Sequence, residues 1–227
     1  MVIKLRYLGD VLLATPVLQA LRERYPDARL TAAVAKGTEE MLKGNRNLDD
    51  VLVVERTSLA GQLTFARALR QRRFDCVVDL TDGDRSAVLA WFSGAPVRIG
   101  FNEEHRWRGL LYTVEATPRV DAVHRIAHDL EIVRSLGIEP KPGQPELPIS
   151  NEEEGAAAKL LDEIAGESLA GGGQPLIMLQ PGARYWFKAW PVERFAILAD
   201  RLADRRSCRV LIGGDPTERK MAQGIRT

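Results

Sequence analysis

The chain has 227 residues, of which 45% are apolar and 28% are charged, a composition typical of a soluble globular protein with one large or two modest domains. A formal net charge of +1 excludes the broad positive field of a general nucleic-acid-binding protein, so no nucleic acid partner is expected. No apolar run approaches the roughly 18 residues that span a bilayer, and the N-terminus begins as a strand rather than a signal peptide, so a cytoplasmic location is expected.

The first 100 residues alternate short β-type runs with helical periods, the pattern of a parallel sheet wound by helices. Strands are predicted over 2–7, 29–35, 51–54, 75–80 and 97–101, and helices over 11–25, 59–73 and 121–136. Pro16 lies inside the first helix and predicts a kink or a late start there. Gly137 follows the last helix and is a candidate C-cap.

Four prolines in the ten residues 139–148 predict a semi-rigid linker. The predicted division is a first domain at 1–138, a linker at 139–150 and a second domain at 151–227. The second domain has a predicted helix at 151–165, strands at 176–180 and 209–212, and helices at 191–206 and from 217 onward. Two strands cannot complete a parallel sheet covered on both faces, so this domain is expected to be incomplete.

The cysteines and histidines give no pattern of a metal site. Cys76 and Cys208 lie far apart in apolar runs, which predicts free buried thiols. His124 and His128 are four residues apart on one predicted helix, a spacing that can bind metal. Because no further histidine completes such a site, an ordinary helix face is the preferred interpretation. GxGxxG is also absent, and neither a metal nor a cofactor is expected.

Gly9-Asp10 lies between the first strand and the first helix, where open α/β sheets bind ligands. An aspartate at a helix N-cap accepts backbone N–H groups, whereas an aspartate in a crevice can be a catalytic base. The position alone leaves both interpretations open. Gly9 is expected to allow a tight turn before Asp10.

Two loops of the second domain have the placement of phosphate and ribose sites. Pro181-Gly182-Ala183-Arg184 and Lys188 follow a strand and precede a helix N-terminus, where Arg184 and Lys188 would neutralise a diphosphate without a metal. The alternative is a solvated basic loop with aromatic packing. Gly213-Gly214-Asp215-Pro216 has the same placement one strand later, and Glu218 is a candidate for ribose hydroxyls, with a plain turn and N-cap as the alternative.

Taken together, these segments resemble the lipopolysaccharide heptosyltransferases of glycosyltransferase family 9. The resemblance covers essentially the whole chain and rests on residues 3–16, 25–28, 78–82, 98–101 and 181–183, on Lys188, on Trp190-Pro191 and on Gly213-Gly214. The opening segment and the Leu-Thr-Asp at 80–82 are most similar to the branch that adds the third core heptose.

The resemblance implies a GT-B-like α/β fold, in which two Rossmann-like parallel-sheet domains face each other across a cleft. It implies inverting transfer of heptose from ADP-heptose to an anionic lipopolysaccharide-core glycolipid, with peripheral contact at the inner face of the inner membrane. Asp10 is then the general base, Lys188 with Arg184 binds the donor phosphates, and Glu218 contacts the donor ribose.

A cationic segment of the first domain is the candidate acceptor site. Arg98, Arg106 and Arg108 are expected to form a rim beside the cleft, with Trp107 as a flat surface for a sugar ring or the membrane interface. The alternative is a solvated basic loop. If the rim binds the acceptor, Arg106 and Arg108 should face the same side as Asp10.

The chain departs from the family in one respect, since no histidine follows His128 to supply the late Asp-x-Gly-x-x-His-type segment. A domain of ordinary size would need roughly a hundred more residues, so the donor half-site is expected to be incomplete. Two other functions therefore stay open: a non-catalytic acceptor-binding remnant or scaffold, and a family-9 transferase with another nucleotide sugar.

Overall fold

The computed structural model describes residues 1–55, 59–119, 124–165, 175–206 and 208–225, which divide into two compact units, Met1–Ser150 and Asn151–Thr227. The strands of the first unit are β1 (Val2–Lys4), β2 (Thr31–Ala35), β3 (Asp50–Val54), β4 (Cys76–Asp79), β5 (Val97–Phe101) and β6 (Val114–Ala116). They form one parallel sheet in the order β3-β2-β1-β4-β5-β6. This is the Rossmann order, whose winding direction reverses between β1 and β4.

Helices cover both faces of this sheet. They are α1 (Leu8–Leu13), α2 (Thr15–Arg24), α3 (Leu59–Gln71), α4 (Asp84–Phe92) and α5 (Arg125–Glu131). Val2 and Leu18 belong to a core cluster on the α1, α2 and α5 side, whereas Ile3 and Leu69 belong to a second cluster on the α3 and α4 side. Because successive strand residues point to opposite faces, Val2 and Ile3 divide between the two clusters.

Two predicted helices have different bounds in the structure. The helix expected over 11–25 is split, since α1 ends at Leu13 and α2 begins at Thr15 with Pro16 in its first turn, where proline is tolerated. In the segment predicted as 121–136, α5 continues as a 3-10 helix over Ile132–Leu136, and residues 121–123 lie outside the described part of the chain. Gly137 ends this helix in the left-handed conformation at φ 70°, which confirms the predicted C-cap.

The second unit contains α6 (Asn151–Ala165), β7 (Leu176–Leu179), α7 (Val192–Arg206), β8 (Arg209–Ile212) and α8 (Arg219–Ile225). β7 and β8 pair in parallel as a two-stranded sheet, and Leu176 and Met178 of β7 are exposed. α7 begins one residue later than predicted, and the carbonyl of Pro191 accepts the first N–H groups of the helix.

The proline-rich segment at 139–150 packs on the first unit. The Glu146 N–H donates to Thr15 Oγ1 at 2.9 Å, and the Glu146 carboxylate lies 3.5 Å from Arg46 Nε. Asn47 Nδ2 donates to the same carboxylate at 3.4 Å. These contacts hold the segment against the start of α2 and the loop before β3.

Both cysteines are free thiols. Cys208 is buried as predicted, whereas Cys76 is only partly buried, and its burial raises the pKa of the Cys76 thiol. Among the residues that the structure describes, no helix combines the length and the apolar character needed to cross a membrane.

Candidate functional site

The segments that follow β1 and β4 lie side by side at the carboxyl edge of the first sheet. The Leu5 N–H donates to Thr81 Oγ1 at 2.8 Å, and Arg6 Nε donates to the Thr81 carbonyl at 3.0 Å. Asp82 has a φ of 54°, a left-handed conformation that aspartate adopts more readily than most residues. Ligands of open α/β sheets bind at such a reversal point of the winding, so this edge is the candidate site of the first unit.

Asp10 lies at this edge in the first turn of α1. Tyr7, and not Asp10, is the N-cap residue, but the Asp10 carboxylate still caps this helix as the third residue of a capping box with Tyr7. Asp10 is the third residue of the helix, and its Oδ2 accepts the Tyr7 N–H at 3.3 Å. Within the described residues, no other donor reaches this half-buried carboxylate. Its second oxygen therefore accepts no hydrogen bond from these residues.

Gly9 is not required by a tight turn, contrary to the expectation. It is the second residue of α1, and its φ is not in the left-handed region. A Cβ added at Gly9 would meet nothing within 4 Å. The fold itself would therefore tolerate a side chain here.

A buried charge cluster joins the ends of β1 and β4 to α5. The side chain of Lys4 is 2% exposed, and its Nζ donates to Asp129 Oδ2 at 2.5 Å and to the Leu80 carbonyl at 2.9 Å. Arg125 Nη2 lies 2.6 Å from the other Asp129 oxygen and donates to the same Leu80 carbonyl at 2.9 Å. Burial lowers the pKa of Lys4, and the adjacent carboxylate of Asp129 opposes that shift.

A second buried group, Asp79, ends β4. Its Oδ1 accepts the Thr81 N–H at 2.8 Å and its Oδ2 accepts the Tyr112 hydroxyl at 2.8 Å. Burial raises the pKa of Asp79 despite these hydrogen bonds. Lys4 and Asp79 fall within the segments that carry the family resemblance, but no role was predicted for either, although each is a charged residue that ends an apolar strand.

His124 and His128 do not both belong to the helix. α5 begins one residue after His124, which is the N-cap and accepts the Ile126 N–H on Nδ1 at 3.3 Å. His128 Nε2 lies 2.8 Å from Glu103 Oε1, and hydrogen bonds with Asp129 and Glu103 raise the pKa of His128. Over the described ranges, no three potential metal ligands cluster together.

The expected cationic rim is corrected for two of its three arginines. Arg108 is buried with a 2% exposed side chain, and its guanidinium pairs with Asp82 at 2.6 Å, with Asp84 at 3.5 Å and with Glu104 at 3.4 Å. Burial opposes the charge of Arg108, but these three carboxylates outweigh burial and raise its pKa. Its charge is therefore neutralised within the first unit.

Arg98 is the second residue of β5, far from the carboxyl end of that strand. Its guanidinium donates to the carbonyls of Leu111 at 2.7 Å and Ala95 at 2.6 Å. Arg106, in contrast, follows the carboxyl end of β5, at the same sheet edge as Asp10, and its side chain is 51% exposed. Only Arg106 keeps the placement that was expected of the rim.

In the second unit, the loops that follow β7 and β8 are adjacent. Gln180 Nε2 donates to Glu218 Oε2 at 3.5 Å, and a Cβ added at Gly182 would come within 1.9 Å of Glu218 Oε1. A side chain at position 182 would therefore displace the Glu218 carboxylate from this loop. Glu218 Oε2 also accepts the Asp215 N–H at 2.9 Å, as the third residue of a capping box.

Lys188 and Arg184 are both exposed, and both lie near the ring of Tyr185. Arg184 Cζ is 5.2 Å and Lys188 Nζ is 5.6 Å from the centroid of Tyr185. Lys188 ends a 3-10 turn, Trp186–Lys188, shortly before α7 begins. Among the described residues, no carboxylate forms an ion pair with Lys188, so its ammonium is available to an anion.

Proteins of known function match nearly the whole of this chain. The chain is 26% identical over 238 residues to lipopolysaccharide heptosyltransferase 3 of Escherichia coli, an alignment that covers 98% of this chain and 67% of that protein. It is also 26% identical over 219 residues to lipopolysaccharide heptosyltransferase 2 of E. coli K12, covering 61% of that relative. The chain thus spans roughly three fifths to two thirds of the length of these relatives.

Solved structures share the α/β, GT-B-like fold. The glycosyl transferase family 9 protein of Veillonella parvula superposes with a TM-score of 0.84 at 23% identity, covering 99% of this chain and 64% of that one. The second unit is a partial domain relative to such structures, as expected. Residues 62–227 match the family described as Glycosyltransferase family 9 (heptosyltransferase). The chain therefore belongs to glycosyltransferase family 9, as its resemblance to the heptosyltransferases had predicted.

Proposed function

We propose that the protein transfers heptose from ADP-heptose to the anionic inner core of lipopolysaccharide, with inversion at the sugar carbon. The observation that carries this proposal is Asp10, an aspartate with a carboxylate oxygen that accepts no hydrogen bond from the described residues, at the reversal point of a parallel sheet in a family of heptosyltransferases. A solved relative, E. coli heptosyltransferase WaaC, was crystallised with ADP-2-deoxy-2-fluoro heptose and superposes with a TM-score of 0.73 at 20% identity.

Asp10 is the general base of the proposed reaction. The acceptor hydroxyl oxygen forms a bond to the anomeric carbon from the face opposite the diphosphate. The bond from that carbon to the phosphate oxygen breaks, and ADP leaves with the electron pair. Asp10 takes the hydroxyl proton, a role that typically accelerates such a step by about 10²–10⁴-fold.

The donor phosphates are assigned to the loop before α7. Lys188 and Arg184 supply positive charge, and the N-terminus of the 15-residue α7 favours an anion nearby. Glu218 is assigned to the ribose hydroxyls, for which it would exchange its capping contact with Asp215. This assignment places phosphate and ribose contacts on the two adjacent loops of the second unit.

The acceptor is assigned to the carboxyl edge of the first unit, where Arg106 provides the exposed cation. Trp107 follows Arg106 directly and is 53% exposed, and Leu110, in the same 3-10 turn, is 87% exposed. An exposed indole beside a cation suits a phosphate-bearing glycolipid at a membrane surface. We propose that this segment contacts the inner face of the inner membrane, which requires a cytoplasmic location.

Arg106→Ser and Arg108→Ser should have different effects because the two guanidinium groups have different surroundings. Arg106→Ser should raise the Michaelis constant for the acceptor several-fold and leave the melting temperature within about 1 °C, since exposed ion pairs contribute little to stability. Arg108→Ser should destabilise the protein by about 1–3 kcal/mol, because it leaves three carboxylates together without their cation. Thermal melts and acceptor kinetics measure the stability and the Michaelis constant of each variant. If Arg106→Ser and Arg108→Ser had the same Michaelis constant and the same stability, the assignment of Arg106 would be contradicted.

Gly9→Ala should preserve the fold and impair the reaction. Alanine stabilises a helix by up to about 1 kcal/mol relative to glycine, and the added methyl group meets nothing in the protein. The methyl group would, however, occupy the open space beside Asp10 and displace the substrate. Such a displacement should lower kcat/KM by roughly 10–100-fold. Gly155→Ala is the matched control, since Gly155 is also a helical glycine with open space, on α6. Equal kcat/KM in both variants would place the substrate away from Gly9.

A binding screen of the full-length protein against a panel of nucleotide sugars tests the proposed donor. ADP-heptose should bind most tightly, and Lys188→Ala should weaken the binding of every ligand that contains ADP. Tighter binding of a different nucleotide sugar would favour a family-9 transferase with another donor. Failure to bind any nucleotide would favour an acceptor-binding scaffold.

A further inference from the structure

Arg6 is an exposed cation at the carboxyl edge of the first sheet and has no role in the reaction described above. It lies two residues after the end of β1, and the peptide N–H that joins Arg6 to Tyr7 is the group that donates to Asp10 Oδ2 at 3.3 Å. Covalent geometry therefore keeps the Arg6 Cα within about 6 Å of that carboxylate oxygen. A long side chain that starts there can reach a substrate held at Asp10.

Two backbone carbonyls fix the Arg6 guanidinium without neutralising its charge. Arg6 Nε donates to the Thr81 carbonyl at 3.0 Å, and Arg6 Nη2 lies 3.5 Å from the Asp82 carbonyl. Within the part of the chain that the structure describes, Arg6 Nη1 makes no hydrogen bond and no carboxylate pairs with Arg6. The guanidinium is therefore held in place with donors to spare, and its planar fork of N–H groups matches the oxygens of a phosphate.

The other two arginines at this edge already have anionic partners. The carboxylate of Asp82, whose carbonyl lies near Arg6, pairs with the buried Arg108 at 2.6 Å. Arg106 lies 3.4 Å from a carboxylate oxygen of Glu104. Of these three cations, Arg6 alone lacks a carboxylate partner among the described residues, so it is the one best suited to bind an anion from outside the chain.

The fold does not depend on the Arg6 charge to join the segments that follow β1 and β4. The Leu5 N–H already donates to Thr81 Oγ1 at 2.8 Å, and this hydrogen bond involves no side chain from position 6. Substitutions of exposed side chains generally change stability little. A change at Arg6 should therefore affect ligand binding more than folding.

We propose that Arg6 binds a phosphate group of a substrate beside Asp10, and that the glycolipid acceptor supplies this phosphate. The inference rests on the proposed function, which assigns an anionic acceptor to the first unit and the ADP phosphates to the second. A phosphate bound to Arg6 fixes one part of the acceptor close to Asp10 and so helps to orient the reacting hydroxyl. Arg6 thereby selects acceptors that carry phosphate over acceptors that do not.

A comparison of two acceptors separates phosphate binding from a structural role. The acceptors are a lipopolysaccharide-core glycolipid and the same glycolipid after its phosphates have been removed. Arg6→Gln removes the charge but keeps an amide that can donate to the Thr81 carbonyl. In the full-length protein it should lower kcat/KM for the phosphorylated acceptor by roughly 10–100-fold, the range for hydrogen bonds to charged groups. For the dephosphorylated acceptor, kcat/KM should stay within about threefold of the wild type, because the partner of Arg6 is already missing.

Arg29→Gln is the matched control, since Arg29 is an exposed arginine that precedes β2 at the opposite edge of the sheet, and its loss should change kcat/KM for neither acceptor. An equal loss of kcat/KM with both acceptors in Arg6→Gln would overturn the inference, because a missing phosphate contact cannot affect an acceptor without phosphate. Weaker ADP binding with an unchanged preference between the acceptors would assign Arg6 to the donor and would also overturn it.

Equilibrium binding of the two glycolipids in the absence of donor makes the same comparison without turnover. If the protein transfers no heptose but Arg6→Gln still weakens binding of the phosphorylated glycolipid alone, the proposed function is rejected and the phosphate site at Arg6 stands. If heptose is transferred and Arg6→Gln leaves the preference between the two glycolipids unchanged, only the inference about Arg6 is rejected.

Discussion

Asp10→Asn should reduce turnover of the full-length protein by about 10²-fold or more and leave ADP binding within a few-fold of the wild type. The amide oxygen of asparagine can still accept the Tyr7 N–H, so the first turn of α1 keeps its hydrogen bond. The amide cannot take a proton from the acceptor hydroxyl, and this loss affects only the chemical step. Single-turnover kinetics and isothermal titration with ADP measure the two quantities.

Asp27→Asn is the matched control for this substitution. Asp27 is exposed and precedes β2, at the opposite edge of the sheet from Asp10. The turnover of the Asp27→Asn variant should therefore equal that of the wild type. Near-normal turnover of Asp10→Asn would remove Asp10 from the mechanism. A comparable loss in both variants would show that the loss in Asp10→Asn does not arise from a missing base.

Lys188→Ala should weaken ADP binding by about 1.5–3 kcal/mol, the range for hydrogen bonds to charged groups. This corresponds to roughly 10–150-fold in Kd. The ammonium is exposed beside Tyr185, and no carboxylate of the described chain pairs with it, so its removal should disturb binding more than folding. Titration calorimetry with ADP measures the change directly.

Lys188→Arg and Lys159→Ala serve as controls for the charge and for its location. Arginine keeps the charge and should retain most of the affinity, whereas Lys159 is an exposed residue of α6 whose loss should not affect ADP. An unchanged Kd in Lys188→Ala would reject the phosphate assignment. A loss in Lys159→Ala of similar size would indicate a diffuse electrostatic effect and not a site.

The parallel sheet of the first unit could be predicted because its strands are short apolar runs separated by helical periods. Strand 97–101 agrees to the residue, and Pro16 indicated the break between α1 and α2. α4 and β6 were missed: β6 has only three residues, Val114–Ala116, and its pairing with β5 and not its composition makes it a strand. The strand order also comes from tertiary pairing that no local pattern contains.

The location of a candidate site residue could be predicted where that residue comes directly after a predicted strand. Asp10, Arg106 and the loops near Lys188 and Glu218 all follow strand ends, and the parallel pairing of those strands places them at sheet edges. The burial of Arg108 could not be predicted, because it depends on Asp82 and Asp84, which lie 26 and 24 residues earlier in the sequence. The partners of Lys4 were hidden for the same reason, since Asp129 is 125 residues away in sequence.

The most direct test of the proposed function is heptose transfer by the full-length protein. The protein is incubated with ADP-heptose and a lipopolysaccharide-core glycolipid that lacks the heptose, and the glycolipid is then analysed by mass spectrometry and its new linkage by NMR. We expect an acceptor that gains one heptose with inverted configuration, one ADP released for each transfer, and loss of both signals in Asp10→Asn. An unmodified acceptor, or transfer that persists in Asp10→Asn, would contradict it.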